Sequence, residues 1–185
     1  MLSQVPNLLT LLRIAACPVL VLVLSAGNYK IALVLFLASG ITDGLDGYIA
    51  KRFNCVSSLG AILDPIADKL LISSAYVMLA LLGDIPFYLL VVVIFRDLVI
   101  IIGYFVLRVV MDDEIPMRPI YSSKLNTFLQ ITLVVFVLFE KSGWLLIPLL
   151  IPALVAGVVV TSVVSGCLYV WQYGISRDLN GGQGE

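Results

Sequence analysis

The chain has 185 residues, 61% of them hydrophobic and only 12% charged, with a formal net charge of −1. Soluble domains carry about 25% charged residues, so this is the composition of an integral membrane protein, and no basic excess argues for nucleic acid as a partner. There is no histidine, and Cys17, Cys55 and Cys167 are scattered without paired spacing, so imidazole chemistry is excluded and nothing points to a zinc site or a disulfide frame.

The first apolar run, 7–25, contains Arg13 and ends in small residues, as a secretory signal does. It lacks a basic leader and Arg13 lies inside the helical pattern, so a retained membrane helix is expected. Further apolar runs follow at 31–50, 60–82, 86–107, 123–139 and 145–171. At about 20 residues per span, these give six transmembrane helices in one all-α domain covering 1–185, with a polar tail at about 172–185. The breaks fall at "SAGNYK", "KRFNCVSS", "GDIP", "RVVMDDEIPMRPIYSS" and "EKSGW".

Positive residues in loops are retained on the cytoplasmic side. Lys51, Arg52, Arg108, Arg118 and Arg177, with Lys124 at the adjoining helix start, lie on one side; the opposite loops offer only Lys30 and Lys141. Both termini and the loop after the second helix are therefore expected in the cytoplasm, as in a bacterial inner membrane or its equivalent.

Around that loop stand four aspartates. Asp43 and Asp46 are three residues apart on the second helix, and Gly47 and Ala50 continue their face; Asp64 and Asp68 are four apart on the third helix, with Gly60 one turn earlier. Four carboxylates converging at a membrane edge are costly without countercharge, and Lys51, Arg52 and Lys69 fall outside the shared face by helical phase. All-oxygen ligands favour magnesium, manganese or calcium, and two such ions would balance the charge and clamp a phosphate. The small residues would let a ligand approach the backbone closely. Helix capping and interfacial ion pairing are the bland alternatives, and an ion or proton pathway is the other functional one, although it leaves the glycines unexplained.

"DGLDGYIAK" followed by "GAILDPIAD" resembles the CDP-alcohol phosphotransferase signature: Asp, two residues, Asp-Gly, two residues, Ala-Arg, eight residues, Gly, three residues, Asp, three residues, Asp. Lys51 stands where the family has arginine, keeping the charge without the planar fork, and Arg52 follows it. The resemblance implies six helices around a polar cavity open to the cytoplasm, a homodimer, and transfer of a phosphatidyl group from CDP-diacylglycerol to an alcohol with release of CMP. It further implies that Asp43, Asp46, Asp64 and Asp68 hold two divalent metals (Mg or Mn). Asp68 would also be the catalytic base, and Gly47, Ala50, Lys51 and Gly60 would bind the nucleotide.

Three other segments bear on the acceptor. "VPNLLTLLRI" is similar to the first helix of phosphatidylglycerophosphate synthases and cardiolipin synthases, and "FRDLVIIIGYFVLR" and "SSKLNTFLQI" resemble the cardiolipin synthases. The implied acceptor is phosphatidylglycerol and the product cardiolipin; glycerol 3-phosphate is the alternative. Arg96, midway along the fourth run, would bind the acceptor's phosphate together with Lys124 and Asn126. A structural ion pair with Asp97 and a positive-inside anchor at Lys124 are the competing readings.

Overall fold

The computed structural model describes residues 5–53, 58–105, 121–144 and 149–171; side chains at 5–9, 43–53, 58–66, 104, 105 and 170 are outside that description. The described residues form six helices: α1 Val5–Ser25, α2 Tyr29–Phe53, α3 Ser58–Leu81, α4 Phe87–Phe105, α5 Tyr121–Lys141 and α6 Leu150–Val170. Four of them, α1, α2, α3 and α5, start two residues before the corresponding apolar run. Hydropathy marks the greasy part of a helix, whereas its hydrogen-bonded first turn extends into polar sequence.

Two of these helices, over Tyr121–Lys141 and Leu150–Tyr169, are long and apolar enough to cross a membrane; the apolar stretches Thr10–Ser25 and Tyr29–Thr42 are shorter. By contacts the chain divides into two units, Met1–Ile85 with Val134–Ile147, and Pro86–Leu133 with Pro148–Glu185.

In the first unit α1 packs against both α2 and α3. Its inward stripe is Thr10, Arg13, Cys17, Leu20 and Leu24, all buried at alternating spacings of three and four. Ala67, Leu71, Ala75, Tyr76 and Leu79 of α3 and Ala32, Leu33 and Phe36 of α2 complete that core.

The chain leaves α1, α3 and α5 in the same way. Gly27, Gly83 and Gly143 adopt φ of 73°, 76° and 76°, and the following amides reach back to carbonyls five residues earlier: Asn28 to Val23, Asp84 to Leu79, Trp144 to Phe139. These are Schellman caps, which need a residue free to enter the left-handed region. After α5 the cap is covered by Phe139 and Trp144, whose rings lie 6.0 Å apart. The breaks "SAGN", "GDIP" and "EKSGW" are thus glycine-terminated helix ends.

In the second unit α4 packs against α6. Its interior mixes aliphatic side chains, Leu89, Val93, Leu133 and Val158, with the buried polar residues Arg96, Asn126, Gln130, Ser162 and Ser165, while Phe95, Leu98, Ile101, Ile102 and Val163 are exposed. That arrangement suits a surface solvated by lipid, against which polar groups have nowhere to turn but inward. Gly103 of α4 leaves room for Tyr169 of α6, since a Cβ there would meet Tyr169 Cε1 at 2.7 Å.

Candidate active site

Asp43 and Asp46 fall on α2, and Asp64 and Asp68 on α3. Gly47, Ala50 and Lys51 also fall on α2 and Gly60 on α3, but the side chains and surroundings of these four, and of Asp43, Asp46 and Asp64, lie outside the description. Asp68 is described, and its setting is specific. Arg13 Nη1 donates to Asp68 Oδ1 at 2.9 Å, joining α1 to α3 across 55 positions of sequence. The Arg13 side chain is 1% exposed and that of Asp68 40%, so the guanidinium is enclosed while the carboxylate keeps an open side. Helical phase decides this: Arg13 follows Thr10 by three and precedes Cys17 by four on the stripe that faces the core. Cys17 Sγ donates to the Arg13 carbonyl at 3.4 Å.

The all-oxygen character of the four aspartates suits a hard divalent cation, and the partly open Asp68 carboxylate is accessible to one. Among the described residues no cluster of three or more metal-type ligands occurs, three of the four aspartates being outside that set.

The expected acceptor residues belong to the second unit. Arg96 on α4 is 4% exposed. Its Nη1 donates to Asp97 Oδ1 at 2.7 Å, and its Nη2 donates to Ser123 Oγ of α5 and to Ser165 Oγ of α6, the latter at 2.9 Å. One guanidinium thus joins three helices, which its rigid fork of donors permits and a lysine could not match. Among the described residues its buried Nε meets no hydrogen-bond acceptor. Asn126 is fully buried, and its Oδ1 accepts from Thr161 Oγ1 and Ser162 Oγ, both at 2.9 Å, so it ties α5 to α6. Lys124 is exposed, with Nζ 6.0 Å from the Tyr121 ring centroid, at the outer reach of a cation–π contact.

Beside Arg96 a cavity of about 480 Å³ opens between α4 and α6, lined by Val92, Phe95, Val99, Val163 and Trp171 among others. Among the described residues Arg96 is the one charged group in its lining.

Sequence reasoning missed Arg13 as the partner of Asp68, and Ser123 and Ser165 as partners of Arg96. A charge inside the first apolar run was the available signal for Arg13, because such a residue must face protein or water. The serines carried none, since hydroxyls in a membrane helix ordinarily return to their own backbone, as Ser74 does to Leu70.

The family described as CDP-alcohol phosphatidyltransferase matches residues 3–168. A probable phosphatidylglycerophosphate synthase of Mycobacterium tuberculosis is 34% identical over 187 residues, covering 97% of this chain and 85% of that protein. The human cardiolipin synthase (CMP-forming) is 36% identical over 148 residues, covering 70% of this chain and 48% of that protein. A CDP-diacylglycerol–glycerol-3-phosphate 3-phosphatidyltransferase of Rickettsia bellii is 43% identical over 86 residues, 45% of this chain and 48% of that protein. With a family match over nearly its whole length, an aspartate signature at the family spacing and an all-helical apolar fold, the chain belongs to the CDP-alcohol phosphatidyltransferases.

Proposed function

We propose that, within this family's activity, the chain moves the phosphatidyl group of CDP-diacylglycerol to phosphatidylglycerol, giving cardiolipin and CMP. We read it as a six-span homodimeric membrane protein with its site and termini on the cytoplasmic side. The observation that carries the acceptor assignment is the cavity beside Arg96: an apolar groove with one cation among the described residues, itself already paired with Asp97. A lipid phosphodiester carries a single charge and brings acyl chains that need such a groove. A soluble dianion such as glycerol 3-phosphate calls for several converging cations.

In this reading Asp43, Asp46, Asp64 and Asp68 hold two divalent ions, magnesium or manganese. When bound, these supply the positive charge that offsets the pyrophosphate and the departing CMP. Asp68 takes the proton of the acceptor hydroxyl as the new oxygen–phosphorus bond forms and the pyrophosphate bond to CMP breaks. Gly47, Ala50 and Gly60 leave room for the cytidine, and Lys51 contacts phosphate. Arg96, with Lys124 nearer the surface, attracts the acceptor's phosphate. Asn126 holds the α5–α6 wall behind it through Thr161 and Ser162.

Glycerol 3-phosphate is the second reading, favoured by the mycobacterial relative matched over 97% of the chain and named a probable phosphatidylglycerophosphate synthase. The purified protein, given CDP-diacylglycerol, magnesium or manganese, and each acceptor separately, is expected to release CMP and form cardiolipin with phosphatidylglycerol. Product from glycerol 3-phosphate alone would overturn the acceptor assignment, and no CMP with any acceptor would overturn the transferase reaction for this chain.

A further inference from the structure

We infer that Arg13 is the positioning residue of Asp68, an inference that rests on Asp68 being the base of the proposed reaction. Arg13 Nη1 lies 2.9 Å from Asp68 Oδ1. The arginine is enclosed on the α1 stripe between Thr10 and Cys17, whereas the Asp68 side chain remains 40% exposed. The guanidinium therefore grips the carboxylate from the protein side and leaves its outer side accessible to what binds there. Because a guanidinium is planar and directs its donors, it fixes the carboxylate's orientation as well as its charge.

Stability alone is a poor reason for this pair. A buried ion pair replaced by packed apolar residues is often neutral or better for stability, and every other residue of the described stripe is apolar or small: Thr10, Cys17, Leu20 and Leu24. The arginine there meets the Asp68 carboxylate directly, a contact that an apolar residue could not make. Catalytic groups must be held to within about half an ångström by residues that are themselves locked, and Arg13 is locked by burial in α1.

Two measurements on the full-length protein in detergent test this. In metal-free buffer, Asp68→Asn is expected to lower the melting temperature, because it takes a charged partner from an enclosed guanidinium; adding Arg13→Met to that variant is expected to restore part of the loss. Additive losses in this cycle would overturn the pairing. In the transferase assay, Arg13→Ala is expected to lower kcat about tenfold or more while KM for CDP-diacylglycerol stays within about twofold, and Arg13→Lys is expected to recover part of kcat. Unchanged kcat in Arg13→Ala, or kcat and KM changing in step with melting and without rescue by lysine, would overturn the positioning role. A wild-type protein that releases no CMP counts against the proposed reaction, and the melting cycle then still decides the pair.

Discussion

Lys141 Nζ pairs with the Asp84 carboxylate, which is 3% exposed and lies directly beyond the glycine cap of α3. The same carboxylate accepts from Tyr29 Oη at 2.8 Å, so the start of α2 and the ends of α3 and α5 converge on one anion. Asp84→Ala leaves the tyrosine hydroxyl and the lysine without that acceptor and is expected to cost about 2 kcal/mol. Lys141→Ala takes the cation from a carboxylate that is 3% exposed, whereas a lysine that is 40% exposed can be solvated once Asp84 is gone, so Lys141→Ala should cost more, about 3 kcal/mol. Thermal melting of the two variants in one detergent checks the order, and a smaller loss for Lys141→Ala would refute it.

Gly83 has φ of 76°, and a Cβ there would meet nothing within 4 Å. The cost of Gly83→Ala is therefore backbone strain alone, about 1 kcal/mol, and Gly83→Asn should cost less because asparagine tolerates the left-handed region. Melting curves that rank Ala below Asn, with activity unaltered in both, are the expected result.

Arg96 serves Asp97, Ser123 and Ser165 together. Removing it by Arg96→Ala takes the cation from a carboxylate that is 13% exposed, at an expected cost of about 3 kcal/mol. The proposed acceptor role adds a kinetic expectation. In Arg96→Lys the KM for phosphatidylglycerol should rise about tenfold, that is by about 1.4 kcal/mol of binding, while the KM for CDP-diacylglycerol is unchanged. Equal rises for both substrates would confine Arg96 to holding its three helices together.

Asp68→Asn keeps the shape of the side chain and removes its capacity to take a proton. Turnover is expected to fall about 10²- to 10⁴-fold, with binding of the cytidine nucleotide retained in a direct assay. Near-normal turnover would assign the base elsewhere. Chelation of divalent metal should stop turnover in the wild-type protein, and added magnesium or manganese should restore it.

Lys51 stands where the family pattern has arginine. If it contacts phosphate as a simple point charge, Lys51→Arg should leave turnover equal or higher, since the fork adds a second donor. A loss of more than about tenfold would show that the pocket is shaped around lysine.

Much of the fold was legible. Apolar runs located the six helices of the described residues, and "SAGN", "GDIP" and "EKSGW" marked three ends that prove to be glycine caps. The family followed from aspartates and glycines at fixed spacings on two consecutive helices, and the match over residues 3–168 bears it out. The partners of the charged residues were not legible. Arg96 could be foreseen to pair with its neighbour Asp97, as it does, but not to reach Ser123 and Ser165, which are 27 and 69 residues away.

The sequence by itself determined what is local: where helices run, where glycine ends them, and which residue types stand together on one helix face. Each of these depends on backbone preferences within a few residues. Only the tertiary structure decided that Arg13 meets Asp68 and that Lys141 and Tyr29 meet Asp84. In helices this apolar, hydropathy does not say which face turns inward; the answer comes from packing, where an enclosed charge must find its counterpart on whichever helix lies opposite.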